Sequence, residues 1–287
     1  MKKALIFTSF SEHLAEKIKK KPNNLEVICL GKNKDGKRLF PDGEVYARIK
    51  EIKNLKNRSV IIVHSGSPCP NKGLMELETV LQILKDNQIK PKLFFAYFPY
   101  GQQDKIFLEG EANIAEGLIK KFINYYGVKK IWGVDLHFEG RNWLKKYPVV
   151  NISAAPLLME KARSGFGKSI LFVSPDKGGK RRTGIAGMKK ERIDSFNVRI
   201  IPEKIFVKNK IVAAVDDIVE TGGTLLRFQK AVKKAGAKKI IALATHGVLL
   251  EGVRKVKNKF DKLYLANTIN RKEANVGVSP LIVESVS

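Results

Sequence analysis

The 287-residue chain is 44% hydrophobic and 29% charged, with 54 Lys+Arg against 28 Asp+Glu and a formal charge of +26. That apolar share supplies enough material for two ordinary cores and excludes a disordered chain despite the charge, and no apolar run approaches the ~18 residues of a membrane span. The two cysteines, Cys29 and Cys69, stand apart, with no C-x-x-C pair or His/Cys cluster, which excludes a disulfide scaffold or zinc finger and predicts free thiols.

At the N-terminus, MKKALIFTSFSEHLAEKI passes into a capped amphipathic helix and not into a signal cleavage site, so a cytoplasmic protein is expected. Short, nearly continuous apolar runs then recur at Val60–Val63, Leu93–Tyr97, Ile131–Val134, Ile170–Val173, Ile211–Val215 and Ile240–Ala244. Strands buried on both faces of a parallel sheet read this way. Most are separated by stretches of helical period such as Gly73–Lys85 and Leu225–Lys234, so the predicted class is α/β.

Several runs end in polar clusters: Ser65–Ser67, Pro99–Asp104, Asp135–His137, Ser174–Asp176 and Asp216–Asp217. Open α/β sheets bind ligands beyond the carboxyl ends of their strands, which makes these clusters the first places to look for chemistry. Two segments repeat one plan. Val60–Ser67, a helix and Lys92–Tyr97 parallel Ile211–Asp217, a helix and Lys239–Ala244. Two copies of one unit fit the length, with a boundary near Lys146-Tyr147-Pro148 and hence domains over 1–146 and 147–287.

The basic residues are spread in short pairs such as Lys129-Lys130, Lys233-Lys234 and Lys238-Lys239, which read as solvated faces. A nucleic-acid partner would rest on the charge alone and is disfavoured; a phosphorylated small molecule is equally well steered by a positive field. Gly167-Lys168-Ser169 has the ending of a phosphate-binding P-loop, but Ala162 occupies the first glycine position and the segment precedes a strand.

The strongest chemical signal is Val215-Asp216-Asp217-Ile218-Val219-Glu220-Thr221-Gly222-Gly223-Thr224. Here an apolar strand ends in two acids, and a small-residue loop then opens a helix. Backbone N–H groups, hydroxyls and a helix N-terminus suit a phosphate, while adjacent carboxylates suit sugar hydroxyls or a metal. A bare T-G-G-T would be a plain turn; the paired acids after a β-branched strand point to a phosphosugar site.

This loop resembles the phosphoribosyl-diphosphate loop shared by type I phosphoribosyltransferases and ribose-phosphate diphosphokinases. Further segments resemble the diphosphokinase family alone, in its order and across nearly the whole chain. They are Phe40-Pro41-Asp42-Gly43-Glu44 with Tyr46-Ala47-Arg48, Met75-Glu76-Leu77, Tyr100-Gly101-Gln102-Gln103-Asp104-Lys105, Val134-Asp135-Leu136-His137, Ser174-Pro175-Asp176-Lys177-Gly178-Gly179 and Thr245-His246-Gly247. The resemblance implies two tandem type I phosphoribosyltransferase-like domains, each a largely parallel sheet flanked by helices. It also implies Mg²⁺-dependent transfer of the diphosphate of ATP to the C1 hydroxyl of ribose 5-phosphate, giving phosphoribosyl diphosphate and AMP for nucleotide biosynthesis. A catalytically silent binding homologue is the alternative.

Carried over residue by residue, the resemblance places Phe40, Asp42 and Glu44 at the adenine, from a neighbouring subunit. A homo-oligomer, at least a dimer, is therefore expected. It puts Gln102, Gln103 and Asp104 at ATP, His137 and Asp176 at the metal, Asp216 and Asp217 at the ribose hydroxyls, and Thr221, Gly222, Gly223 and Thr224 around the 5-phosphate. Lys190 and Arg192 match the mobile catalytic loop that closes over the transferring diphosphate. Three departures stand out: Gln102 where the family usually has Arg, Glu220 where Asp is commoner, and a Gly179–Lys189 stretch short for the family's helix and strand.

Overall fold

In the computed structural model, which describes residues 3–19, 24–175, 189–192, 198–201 and 207–286, the apolar runs become strands of parallel sheets. β1 (Lys3–Phe7), β2 (Leu25–Cys29), β3 (Ser59–Ser65), β4 (Lys92–Tyr97), β5 (Ile131–Val134) and β6 (Val149–Ile152) form one sheet in the order β2-β1-β3-β4-β5-β6. Every pairing in it is parallel. Parallel neighbours need crossover connections; α1 (Glu12–Lys19) links β1 to β2, α2 (Pro70–Asp86) links β3 to β4, and α3 (Ile114–Lys120) lies between β4 and β5.

After α4 (Ala155–Phe166) come β7 (Leu171–Val173) and the antiparallel pair β8 (Lys189–Arg192) and β9 (Val198–Ile201). A second parallel sheet then joins β10 (Ile211–Val219), β11 (Lys239–Gly247) and β12 (Lys262–Leu265) to β7 in the order β12-β11-β10-β7. Its helices are α5 (Gly223–Lys234) and α6 (Leu250–Lys259), and the chain closes on α7 (Ser279–Val286). The repeat read from the sequence is thus β3-α2-β4 against β10-α5-β11, each a parallel pair of adjacent strands with its helix between.

Contacts group the chain into two units, Met1–Ile152 with Thr268–Asn270 and Ser279–Ser287, and Ser153–Asn267 with Arg271–Val278. The first unit therefore extends to Ile152, beyond the Lys146 boundary read from the sequence, because β6 pairs with β5. It also reclaims the end of the chain: Ser279 donates its hydroxyl to the Leu14 carbonyl (3.4 Å) and Ser65 to the Thr268 carbonyl (2.8 Å).

Each unit has its own core. In the first, Ile6, Ile62, Leu93 and Phe95 meet Leu77, Val80, Leu81 and Leu84 of α2. In the second, Val212, Ala214 and Ala242 meet Leu225, Phe228 and Val232 of α5, spaced three and four residues apart on one helix face. Full burial of such a side chain contributes about 1.5–3 kcal/mol. β1, β2, β6 and β12 were not among the apolar runs read from the sequence. β2, β6 and β12 are edge strands, and β2 and β6 carry half-buried and exposed positions that break a continuous run. No helix among the described residues is long and apolar enough to cross a membrane, and both cysteines are free.

One core residue makes stability depend on pH. His64, fully buried on β3, shares a 2.9 Å hydrogen bond between Nδ1 and the Thr8 hydroxyl, and its Nε2 has no hydrogen-bond partner among the described residues. Burial lowers its pKa from the ordinary 6.5 to about 3. The unfolded chain binds this proton first, so the contribution is complete above pH 6.5 and is lost as pH falls toward 3, at about 1.4 kcal/mol per pH unit. Denaturant unfolding at pH 6.5 and pH 5.0 should show the parent losing about 2 kcal/mol more than His64→Gln over that interval. Equal losses would show that His64 is not the group responsible.

Candidate active site

In the second unit the loop read from the sequence as a phosphosugar site is built where β10 meets α5. Asp216 and Asp217 are buried near the carboxyl end of β10, and the Asp217 N–H donates to Asp216 Oδ1 (3.1 Å). Parallel registry sets them beside the ends of β7 and β11: Ala214 pairs with Val173 next to buried Ser174, and Asp216 pairs with Ala244 next to buried Thr245 and His246. Gly222 then takes the left-handed conformation (φ 78°) as N-cap of α5, which glycine adopts without strain. Thr221 Oγ1 accepts from the Gly223 N–H (3.4 Å). The N-terminal end of the helix dipole lies at Gly223, with no acid in the first turn and Lys233 and Lys234 at the far end. Thr221, Gly222, Gly223 and Thr224 thus form a turn of hydroxyls and backbone N–H groups, a cradle at the helix start that follows the two carboxylates along the chain.

The cradle is held from behind by α6. A Cβ at Gly252 would lie 1.6 Å from the Glu220 carbonyl oxygen, and one at Gly222 would lie 3.2 Å from the Gly252 oxygen, so two backbones touch where neither tolerates a side chain. The Val248 N–H also donates to the Val219 carbonyl (2.9 Å), and Arg271 donates to the carbonyls of Gly247 and Val248. Gly252 and Arg271 carry no motif of their own, and the sequence reading missed them.

In the first unit the segment after β4 is fastened by the segment after β5. Tyr100 has positive φ (56°), the Gln103 N–H donates to the Tyr100 carbonyl (3.0 Å), and the Gln103 carbonyl accepts from Ala115 at the start of α3 (3.0 Å). Asp104 is buried and paired twice with Arg141, Nε to Oδ2 at 2.7 Å and Nη2 to Oδ1 at 3.0 Å. Trp143 Nε1 donates to the Asp104 carbonyl (3.1 Å). Phe98, Phe138 and Trp143 pack ring to ring beneath, at 5.0 and 5.3 Å. Both oxygens of Asp104 are therefore turned inward to Arg141, while Gln103 is exposed and Gln102 half-buried. A buried acid implies a cation close by, but the sequence did not reveal that Arg141 supplies it. Asp135 is buried at the end of β5 with φ 39°, and His137 follows half-buried.

Phe40, Asp42 and Glu44 lie at the exposed tip of an arm between β2 and β3. The Phe40 N–H donates to the Glu44 carbonyl (2.8 Å), Gly43 (φ 94°) donates back to the Phe40 carbonyl (3.0 Å), and Asp42 Oδ1 accepts from the Glu44 N–H (3.0 Å). Below the tip one antiparallel bridge, Leu39 to Val45, joins the two sides of the arm. The Phe40 ring is exposed and stands edge-on to Tyr46 at 5.7 Å.

Lys190 and Arg192 lie on β8, opposite Ile200 and Val198 of β9. The segment read as a mobile loop is thus extended backbone here, with positions 190 and 192 on one face of a two-stranded ribbon. Asp176 and the short Gly179–Met188 stretch lie outside the described residues.

Comparison with known proteins agrees with this geometry in both units. Residues 4–127 match the family model for the N-terminal domain of ribose phosphate pyrophosphokinase, and residues 187–280 match the phosphoribosyl transferase domain. The ribose-phosphate pyrophosphokinase of Pyrococcus furiosus is 31% identical over 97% of this chain and 99% of its own length. That of Thermococcus kodakarensis is 32% identical over 85% of this chain and 89% of its own. The crystal structure of phosphoribosylpyrophosphate synthetase from Mycobacterium smegmatis superposes with a TM-score of 0.80 at 23% identity, covering 99% of this chain and 98% of that one, which establishes a shared fold. With two parallel-sheet units, a cradle behind paired acids, and near-complete coverage by a relative 31% identical, the chain belongs to the ribose-phosphate pyrophosphokinase family.

Proposed function

We propose that the protein transfers the β,γ-diphosphate of ATP to the C1 hydroxyl of ribose 5-phosphate, releasing AMP and phosphoribosyl diphosphate for nucleotide biosynthesis. The observation that carries this reading is the cradle at Thr221–Thr224, where α5 starts just after buried Asp216 and Asp217: hydroxyls and backbone N–H groups suit a phosphate, and adjacent carboxylates suit sugar hydroxyls. In this reading the second unit, which carries the cradle, holds ribose 5-phosphate and the first holds ATP. Gln102 and Gln103 contact the nucleotide directly; Asp104, occupied by Arg141, shapes the loop that carries them. The tip residues Phe40, Asp42 and Glu44 serve the adenine of a neighbouring copy, the aromatic face stacking and the carboxylates accepting from the amino group. Lys190 and Arg192 lie over the diphosphate in flight.

Among the described residues no group of three or more His, Cys, Asp or Glu side chains is gathered. Mg²⁺ does not require one, since it is bound through one or two protein groups, substrate phosphates and water. The buried carboxylates at the end of β10 are the hard oxygen donors such an ion takes. His137 in the first unit and Asp176 in the second are the metal-binding residues of this reading, each taken within its own unit. When bound, the ion neutralises charge on the transferring diphosphate. Its partners in this reading are ATP, ribose 5-phosphate and further copies of itself, and its place is the cytoplasm.

Incubation with ATP, Mg²⁺ and ribose 5-phosphate should release AMP and phosphoribosyl diphosphate in equal amounts. Binding of ribose 5-phosphate without AMP, including at high temperature, would identify a silent homologue instead. Sedimentation and specific activity followed across a dilution series should fall together; a monomer with full activity would end the shared-site reading.

A further inference from the structure

The arm that carries Phe40, Asp42 and Glu44 is tied to the sheet by one side chain at its midpoint. Arg38 donates Nε and Nη2 to the Leu30 carbonyl (3.1 and 2.5 Å), Nη2 also to Glu12 Oε1 (2.6 Å), and Nη1 to the Ser9 hydroxyl (3.1 Å). Ser9 is itself held, its N–H and hydroxyl donating to the two oxygens of Glu76 at 2.7 and 2.6 Å. Glu76 is buried on α2; burial pushes its carboxyl up, while Ser9 and Arg38 pull the other way.

The guanidinium therefore joins three elements at one edge of the sheet: the end of β2, the segment after β1, and α1. From the same residue the backbone builds the tip. The Arg38 carbonyl accepts from Tyr46 (3.1 Å), the next residue bridges to Val45, and Phe40 closes the turn onto Glu44. At the other end, the Gly31 N–H donates to the Arg48 carbonyl (2.7 Å), which closes the root of the arm but leaves Phe40 eight residues away.

We propose that Arg38 is a positioning residue for ATP, its guanidinium fork setting the direction in which the Phe40–Glu44 tip leaves the sheet. The proposal rests on the reading that this tip meets ATP, and it deepens that reading by naming what aims it. A planar fork with donors in three directions is needed, because the acceptors at Leu30, Glu12 and Ser9 surround it; an ammonium on a flexible stem cannot reach all three.

Steady-state kinetics of the whole enzyme for Arg38→Met, Arg38→Lys and Phe40→Ala, with amide hydrogen exchange over 39–46, test it. Arg38→Met should raise the KM for ATP about tenfold, leave the KM for ribose 5-phosphate within about twofold, and speed exchange at the Phe40 and Tyr46 amides. Arg38→Lys should behave likewise despite its charge, and it serves as the test variant if Arg38→Met does not fold. Full recovery of the KM for ATP by lysine would overturn the proposal, as would a raised KM for ribose 5-phosphate in step with that for ATP. Phe40→Ala separates the two ideas. If it raises the KM for ATP while the Arg38 variants change neither kinetics nor exchange, the tip meets ATP and Arg38 does not aim it. If Phe40→Ala is silent, the tip does not meet ATP, and the proposal falls with that reading.

Discussion

Lys190→Ala and Arg192→Ala are each expected to lower kcat by about 10²- to 10³-fold while the KM values for ATP and ribose 5-phosphate stay within a few-fold, the size associated with removing one preorganised charge-stabilising donor. Diphosphate transfer leaves little covalent chemistry for a protein to perform, so positioning and cations near the migrating group supply most of the acceleration. Contacts made mainly in the transition state appear in kcat and not in ground-state binding. The two positions alternate with Glu191 along β8, opposite Ile200 and Val198 of β9. Steady-state kinetics with both substrates varied is the measurement. A variant that keeps kcat within a few-fold of the parent would remove these residues from the catalytic assignment.

Gly252→Ala is expected to damage the ribose 5-phosphate site from a helix that carries none of the assigned site residues. The new methyl would lie 1.6 Å from the Glu220 carbonyl oxygen and 2.8 Å from the Thr221 carbonyl carbon, and these are backbone atoms that no rotamer change can move aside. Either α6 or the cradle must shift. Overpacking of this kind costs about 1–3 kcal/mol of stability, and a displacement of ~1 Å in a positioning loop costs up to about 10²-fold in rate. The expected result is a lower melting temperature together with a strongly raised KM for ribose 5-phosphate, the KM for ATP changing least. Calorimetric titration with ribose 5-phosphate alone checks the binding half. Unaltered affinity in a folded variant would show that the cradle does not depend on its contact with α6.

Much of this protein was legible in its sequence, for identifiable reasons. A strand buried on both faces has no polar side to show, so Val60–Val63, Leu93–Tyr97 and Ile240–Ala244 stood out as continuous runs. Acids at a strand's end followed by a glycine-rich helix start are a local pattern, so Asp216 to Thr224 could be read without any tertiary contact. The repeated β-α-β plan followed from the same two periodicities.

What the sequence could not disclose depends on residues far apart in the chain. Edge strands β2 and β6, with half-buried faces, send a weaker signal than the runs between them. Asp104 was singled out at a strand end, and its pairing with Arg141 exists only once the segments after β4 and β5 are adjacent. The acceptors of Arg38, at Leu30, Glu12 and Ser9, come from three separate segments that meet only in the folded chain. Gly252 carries no local signal, and only the approach of Glu220 makes it a close backbone contact. Composition, periodicity and local motif determined the class of fold and the chemistry of the cradle, because those properties reside in neighbouring residues. The partners of buried charge and the close approach of two backbones were decided by the tertiary structure, because burial and excluded volume do not exist until distant segments meet.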